Sequence, residues 1–360
     1  MSRILDFIEN LRDSDYSDIH IREGERISIR ILGDIIRTDT VTEIKDITDF
    51  IKEIGLEFKD GFSSYCDEEK SDSSYERDFS FYYSGFRFRG NMFFNMGKTG
   101  ISLRKISTEI KSFTELSIPV KVENLCGFSS GIVFITGPTG SGKTTTLAAI
   151  VQYINENCRK HIITIEDPIE FVFKNKNSII TQREVGKDTA SFSDAIKSSL
   201  RQDPDVIIIG EVRDAETMRN AIRAAETGHL CFCTLHTVGS VSTVERIAGM
   251  FSGDEKERIK FELSTVLKAI LSQQLLKVEN RRVPVVEFLL TDKSVLNMIK
   301  EGKTGQIPNY IHTNSSKGLI SMDTELLKVY SEGMISRDVL MNKCIDREYI
   351  GKSVSKRFLL

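Results

Sequence analysis

The sequence predicts an α/β fold in which a parallel sheet carries a phosphate-binding loop and a smaller α+β domain precedes that sheet. From residue 125 onward, short apolar runs alternate with segments of helical spacing. A complete G-x-x-x-x-G-K-[ST] motif joins one of these runs to a helical segment. The length of 360 residues favours two domains, because single hydrophobic cores rarely extend beyond about 250–300 residues.

The second part of the chain shows the alternation most clearly. Its apolar runs predict buried strands at residues 132–135, 162–165, 206–209 and 230–235. The helical segments that separate them lie at residues 145–155, 192–201 and 215–226. This pattern indicates a parallel sheet covered on both faces. From residue 243 we expect mainly helix, with a short strand pair near residues 284–290.

The first part of the chain has a different pattern. Apolar residues recur at helical spacing in residues 4–12 and 43–60. Apolar and polar residues alternate, as in strands, in residues 19–21, 27–31 and 79–104, with turns at Gly24, Gly33 and Gly85. The polar stretch 63–77 predicts a loop. These elements predict a small α+β domain.

Domain boundaries follow from this change of pattern. We expect one domain over residues 1–110, a linker over 111–122 and a second domain over 123–360.

The composition disfavours several classes of protein. A net charge of −3 and a pI near 6.1 give no basic character, so we expect no nucleic-acid partner. No apolar run approaches the ~18 residues of a membrane span. Charges within the first six residues argue against a secretory signal peptide.

The six cysteines contain no C-x-x-C pair, and the additional ligands that a zinc site needs are not evident. We expect small, buried cysteines in a reduced, cytoplasmic protein. Cys231 and Cys233 lie two residues apart in an apolar run, so they should point to the same face of a strand.

The phosphate-loop motif predicts nucleotide binding. Its glycines let backbone N–H groups converge on phosphate oxygens, and the helix N-terminus adds partial positive charge. Lys143 would reach the β- and γ-phosphates of ATP, and Thr144 would hold Mg²⁺. The predicted nucleotide-binding residues are Gly137, Pro138, Thr139, Gly140, Ser141, Gly142, Lys143, Thr144 and Thr145.

Acidic residues follow two of the apolar runs. The third run ends in Gly210 and Glu211, and a carboxylate on a strand neighbouring the phosphate loop is placed to bind Mg²⁺ or polarise the attacking water. The second run ends in a cluster of Glu166, Asp167 and Glu170. Three acids so close repel one another unless a cation or a catalytic role justifies them. Glu166 comes first and is the candidate general base; the alternative is that these acids are solvated surface residues.

Two of the five histidines, His229 and His236, flank the fourth apolar run. By spacing alone, a histidine at a strand end is more often structural. Because their strand follows Glu211 and its helix, we predict that the two histidines act at the γ-phosphate or in coupling, with His229 as the candidate catalytic residue.

In this order, these segments resemble the secretion and type IV pilus ATPase superfamily, and most closely its pilus-retraction motors. The resemblance covers nearly the whole chain. Its motifs are S-D-I-H at 17–20, the phosphate loop, T-I-E-D-P-I-E-F at 164–171, Q-R-E-V-G at 182–186, G-E-V-R-D at 210–214 and the histidine segment. It implies a RecA-like C-terminal domain and a PAS-like N-terminal domain.

The resemblance also implies a homo-hexameric ring that binds ATP and Mg²⁺ between protomers. Such a motor works at the cytoplasmic face of the cell membrane and passes motion to an inner-membrane platform protein, and indirectly to pilin. Its membrane association would occur only through that partner.

The superfamily uses N-terminal arginines that reach the nucleotide, in a pattern like R-F-R-x-N followed by a later arginine. Here Arg87, Arg89 and Arg104 match, and the resemblance implies that Arg89 and Arg104 are ligands. Without the resemblance, the expected role of these arginines is that of solvent-exposed residues on strands. The position of an intermediate arginine falls on Gly97, beside Lys98.

A second departure affects the choice between motors. Retraction motors carry a helix motif like A-I-R-N-L-I-R-E, whereas residues 294–301 read S-V-L-N-M-I-K-E, with Leu296 and Lys300 at the arginine positions. The greater length and four-cysteine zinc motif of many assembly motors are absent, so retraction is preferred. A pilus-assembly or secretion motor and a non-hydrolysing regulator are the alternatives, and a nucleic-acid translocase is disfavoured.

Overall fold

The computed structural model describes residues 2–12, 14, 16–31, 34–56, 76–106, 110–121, 123–278 and 281–357. The predicted turn at Gly33, Cys66 and most of the polar stretch 63–77 lie outside these residues. The chain divides into two compact units, Met1–Glu109 and Ile110–Leu360. The segment expected to be a linker, 111–122, contributes Phe113, Ile118 and Val120 to the core of the second unit.

The first unit contains an antiparallel sheet with two helices, as an α+β domain should. The helices are α1 (Arg3–Asn10) and α2 (Ile44–Glu53). The strands are β1 (Tyr16–Arg22), β2 (Arg26–Ile31), β3 (Asp34–Val41), β4 (Glu76–Tyr83), β5 (Phe86–Asn95) and β6 (Lys98–Ile106). They are ordered β3-β2-β1-β6-β5-β4, and all their pairings are antiparallel. Side chains of β1, β2, β4, β5 and β6 pack with α1 and α2 in one core, whereas the described residues of β3 contribute none.

A glycine in β5 makes room for an aromatic ring on the neighbouring strand. Gly90 lies opposite Phe79, and a Cβ at Gly90 would stand 2.2 Å from the Phe79 ring. We expect Gly90→Ala to lower the free energy of unfolding by about 1–3 kcal/mol through overpacking. Urea unfolding measures this change. In a Phe79→Leu background the same substitution should cost less, and an equal cost in both backgrounds would contradict the explanation.

The second unit is built on a seven-stranded sheet. Its strands are β7 (Gly131–Thr136), β8 (His161–Glu166), β9 (Ile179–Glu184), β10 (Val206–Ile209), β11 (Leu230–Leu235), β12 (Leu267–Val278) and β13 (Arg281–Leu290). The order is β13-β12-β7-β11-β10-β8-β9. All neighbours pair in parallel except β12 and β13. The predicted α/β class is confirmed, with a mixed rather than purely parallel sheet.

Helices and apolar clusters lie on both faces of this sheet. The helices are α3 (Glu123–Cys126), α4 (Lys143–Asn157), α5 (Phe192–Ser199), α6 (Ala215–Glu226), α7 (Ser240–Ala248), α8 (Asp254–Val266), α9 (Lys293–Lys300), α10 (Ile307–Thr313), α11 (Met322–Ser331), α12 (Arg337–Lys343) and α13 (Arg347–Arg357). Along β7, Ile132 and Phe134 enter one cluster while Val133 and Ile135 enter the other. Burial on both faces explains why these strands read as continuous apolar runs.

The expectation of mainly helix after residue 243 is wrong for Leu267–Val278. This segment is the twelve-residue strand β12, and it pairs with β7 on one side and β13 on the other. Its apolar residues cover both faces, so the segment lacks the alternation of a half-buried strand, and leucine is also a good helix former. Tertiary pairing decides the outcome.

The two cysteines of β11 lie as predicted. Cys231 and Cys233 are both buried and enter the same cluster, as expected for residues two apart on a strand. The five described cysteines are free. Within the described part of the chain, no helix combines the length and apolarity needed to cross a membrane.

Candidate active site

The carboxyl ends of four parallel strands meet at one edge of the second sheet. This edge carries the phosphate loop after β7, His236 after β11, Glu211 after β10 and Glu166 at the end of β8. The strand before Glu211 was predicted to neighbour the phosphate-loop strand, but β11 lies between them. The prediction is wrong by one strand, a step of about 4.8 Å.

The phosphate loop itself is tightly folded against β12. Gly142 has φ +86°, and a Cβ there would lie 2.9 Å from the side-chain nitrogen of Gln273. At Gly137 a Cβ would lie 2.1 Å from the Gln273 carbonyl oxygen. The glycines of the motif are therefore required both by backbone conformation and by the closeness of the neighbouring strand.

Lys143 is the first residue of α4, and its ammonium lies over the phosphate loop. Nζ donates hydrogen bonds to the carbonyl oxygens of Gly137 at 2.8 Å and Pro138 at 3.1 Å. Burial lowers the pKa of Lys143, and the charges of Glu211 and Glu170 oppose that shift. The two carboxylates are therefore electrostatic neighbours of the lysine, although they lie in the segments that follow β8 and β10.

The loop residues fit a nucleotide. The Ser141 hydroxyl is buried without a hydrogen-bond partner among the described residues, and a phosphate oxygen would satisfy it. Gly142 caps the fifteen-residue helix that begins at Lys143, and the free N–H groups of its first turn favour an anion. Thr144 and Thr145 are half-buried in its first turn.

The fit to Mg²⁺ rests on Thr144 and Glu211. Among the described residues, no group of three or more His, Cys, Asp or Glu side chains is arranged to hold a metal ion. Mg²⁺ in nucleotide sites keeps several waters and takes only one or two protein ligands besides phosphate oxygens. One hydroxyl and one carboxylate therefore suit a cation that arrives with the nucleotide.

Glu211 is nearly enclosed, with 13% of its side chain exposed. Arg213 forms an ion pair with one carboxylate oxygen, and Nε2 of His236 lies 3.7 Å from the other. Of the two histidines predicted to act at the γ-phosphate or in coupling, His236 is the one that lies at this edge, although His229 was the candidate catalytic residue. The structure thus links Glu211 and His236 at the edge that carries the phosphate loop.

Glu166 has a different environment. Its carboxylate accepts hydrogen bonds from the Thr164 hydroxyl at 2.7 Å and the Gln182 side-chain amide at 3.2 Å. Burial raises the pKa of Glu166, and these hydrogen bonds oppose the shift only in part. A carboxylate with a raised pKa is a stronger base than an exposed one.

Gln182, the first residue of the Q-R-E-V-G segment, holds the acidic segment in place, a role that its residue type alone does not predict. Its amide also donates to the carbonyl oxygen of Phe171 at 2.8 Å and accepts from the N–H of Phe173 at 3.0 Å. Glu184, on the same strand, accepts from the N–H of Ile169 at 3.2 Å. Strand β9 therefore orients the segment that contains Glu166 and Glu170.

His229 does not join this group. It precedes β11, and β11 runs parallel to β7, so His229 lies at the opposite edge from the phosphate loop. Its Nδ1 lies 3.0 Å from the carbonyl oxygen of Ala224, and it borders a cavity of about 480 Å³ with Lys197, Arg201 and Arg223. The prediction that His229 acts at the γ-phosphate is therefore wrong for the phosphate loop of its own chain.

Comparison with known proteins shows the family to which the chain belongs. The family profile described as Type II/IV secretion system protein matches residues 101–307 of the 360. The type IV pilus retractation ATPase PilT of Pseudomonas aeruginosa is 38% identical over 327 residues, which are 89% of this chain and 92% of that protein. The chain belongs to the type II/IV secretion system protein family.

A second relative and a solved structure also match most of this chain. A twitching motility protein of Neisseria gonorrhoeae is 44% identical over 277 residues, which are 76% of this chain and 74% of that protein. A crystal structure described as the pilus retraction motor PilT with bound ADP superposes with a TM-score of 0.87 at 38% identity, covering 97% of this chain and 99% of that one. As a secretion-family ATPase, the chain is an ATP hydrolase.

The two arginines that the resemblance predicts as nucleotide ligands lie in the first unit of this secretion-family ATPase. Arg89 of β5 and Arg104 of β6 are directly opposite each other, and both are exposed. Arg104 Nε donates to Asp18 at 2.8 Å, and Asp18 stands opposite Arg104 on β1. Asp18, the acid of the S-D-I-H signature, thus orients Arg104. Its negative charge also offsets the repulsion between Arg89 and Arg104 on neighbouring strands.

Proposed function

We propose that this chain is an ATP-driven motor that retracts type IV pili. The observation that carries the proposal is similarity along nearly the whole chain to a pilus retraction motor with bound ADP. The carboxyl edge of the second sheet supports it, because the groups needed for hydrolysis lie there together. They are Lys143, Thr144, Glu166 and Glu211.

In this proposal, backbone N–H groups of residues 137–144, Lys143 and the Ser141 hydroxyl bind the phosphates. Lys143 exchanges its hydrogen bonds with the loop carbonyls for bonds to phosphate oxygens. Thr144 and Glu211 would hold Mg²⁺, which would neutralise negative charge on the phosphates. Glu166 accepts the proton of the attacking water, and His236 lies beside Glu211.

The proposed assembly is a hexameric ring with ATP between protomers. Arg89 and Arg104, both exposed in the first unit, would contact the nucleotide as the resemblance implies. The ring would work at the cytoplasmic face of the membrane and act on an inner-membrane platform protein. Pilin would be moved only indirectly.

One feature favours a second candidate, a pilus-assembly or secretion motor. At the position of the first arginine of the retraction motif, Leu296 packs against the apolar cluster of the second unit. At the second, Lys300 lies with Nζ 5.1 Å from the centre of the Phe261 ring. Neither residue reproduces a guanidinium fork, so α9 lacks the recognition chemistry of that motif.

Deletion of the gene in its piliated host separates the candidates. Retraction predicts surplus surface pili and lost twitching, because assembly continues without removal. An assembly or secretion motor predicts absent pili or lost export. Complementation with wild type should restore the original count, whereas Lys143→Ala should not. Restoration by Lys143→Ala would instead favour a regulator that does not hydrolyse ATP.

A further inference from the structure

Three consecutive polar residues interrupt the apolar strand β12. Ser272, Gln273 and Gln274 are 0%, 3% and 4% exposed. Buried polar groups cost free energy unless they are hydrogen-bonded. Each of these three has a specific partner, and because successive strand residues point to opposite faces, the partners lie in different parts of the unit.

Gln273 binds the phosphate loop and the helix that follows it. Its Nε2 donates to the carbonyl oxygen of Ser141 at 2.8 Å, and its Oε1 accepts from the Thr146 hydroxyl at 2.8 Å. Because the Ser141 carbonyl can only accept, the orientation of the Gln273 amide is fixed by its partners. Its backbone also approaches Gly137 at the start of the loop.

The bond to Ser141 determines the direction of one peptide group. In a planar trans peptide, the C=O of one residue and the N–H of the next point in opposite directions. Gln273 holds the Ser141 carbonyl toward β12, so the N–H of Gly142 points away from β12. Phosphate binding by such a loop depends on the direction of its N–H groups.

We infer that Gln273 is a positioning residue that presets the phosphate loop for nucleotide without touching the nucleotide itself. This inference rests on the proposed nucleotide site. Gln273 joins the end of the loop to α4 and restrains the loop against peptide rotation. Loss of this restraint requires the loop to be ordered again on each binding event, which weakens affinity.

Gln274 provides a matched control on the same strand. It is equally buried, and its Nε2 donates to the carbonyl oxygen of Lys343 at 3.0 Å, on the other face of β12. Gln273→Met and Gln274→Met each keep the side-chain volume and remove hydrogen bonds from a buried site. Both should lower the melting temperature, but only Gln273→Met removes contact with the phosphate loop.

Calorimetric titration of the full-length protein with Mg²⁺–ADP tests the inference. Gln273→Met should raise Kd about tenfold, whereas Gln274→Met should change it less than about twofold. Equal Kd values for Gln273→Met and wild type, or equal rises in both variants, would overturn the inference. Failure of the wild type to bind ADP would overturn the proposed function instead.

A second pair of variants tests the same contact from the other side. Thr146→Val removes the hydroxyl that donates a hydrogen bond to Gln273, and Thr146→Ser retains that hydroxyl. We expect Kd to rise several-fold for Thr146→Val and to stay near wild type for Thr146→Ser. Thr146→Val should add little in a Gln273→Met background, because the shared contact is already lost. Additive effects would contradict a common role in positioning the loop.

Discussion

Lys143→Ala is expected to lower kcat for ATP hydrolysis by at least about 10²–10³-fold, the scale of losing one preorganised charge contact to a transition state. The ammonium is buried over the phosphate loop and donates to two loop carbonyls. Alanine removes the charge that meets the phosphates and leaves those carbonyls without that donor. Phosphate release measured with saturating Mg²⁺–ATP gives the rate.

A matched exposed lysine separates loss of this contact from a general charge effect. Lys352 of α13 pairs with Glu348 on the surface, and Lys352→Ala should keep the wild-type rate. Circular dichroism should show that Lys143→Ala is folded. Normal turnover in folded Lys143→Ala would remove the basis for calling the carboxyl edge of this sheet an active site.

The fold was largely predictable where buried apolar strands alternate with helices along the chain. Strands β7, β8, β10 and β11 are short apolar runs bounded by helices, and their positions agree with the predicted ones. Strand β12 was not predictable in this way, because an apolar segment covered on both faces has the same composition as a buried helix. Pairing with β7, more than a hundred residues earlier, decides its structure.

The order of strands within the sheet was also beyond the sequence pattern. Helix α6 leads from β10 to β11, and β11 occupies the position beside β7. This placement separates Glu211 from the phosphate-loop strand and brings His236 to the edge that carries both. It also leaves His229, seven residues earlier, at the opposite edge.

Residues that act through others were hardest to predict. Gln273 lies 132 residues from Ser141 along the chain, and Gln182 lies 16 residues from Glu166. Gln182 was noted only through the Q-R-E-V-G resemblance, without a role, and no motif or spacing rule selected Gln273. By contrast, Gly97 has a local explanation: with φ +74° it lies in the turn between β5 and β6, where an arginine would be strained.

Glu166→Gln and Glu211→Gln are expected to abolish turnover by different routes. Glu166 has a raised pKa and Glu211 lies in the electrostatic environment of Lys143. We expect Glu166→Gln to lower kcat about 10²–10⁴-fold, the range for losing a general base, while Kd for Mg²⁺–ATP changes less than about twofold. Glu211→Gln should lower kcat and also raise Kd, because a charge beside the metal and Lys143 is lost.

The pH profile gives an independent test for Glu166. A general base must be ionised, so wild-type kcat should fall as the pH drops through the raised pKa of Glu166. The residual rate of Glu166→Gln should lose this dependence, whereas Glu211→Gln should retain it. An unchanged acidic limb in Glu166→Gln would assign the base to another group, and a loss of the limb only in Glu211→Gln would exchange the two roles.

Stability distinguishes a lost base from a damaged fold. Burial raises the folded-state pKa of Glu166 above its value in the unfolded chain, so ionisation of Glu166 destabilises the folded state as the pH rises through that pKa. Glutamine carries no charge and can still accept from the Thr164 hydroxyl. Glu166→Gln should therefore be at least as stable as wild type at pH 8 in urea unfolding. A catalytic carboxylate should give an inactive variant that is at least as stable as wild type. A residue that serves packing alone should instead give a less stable variant that keeps its activity.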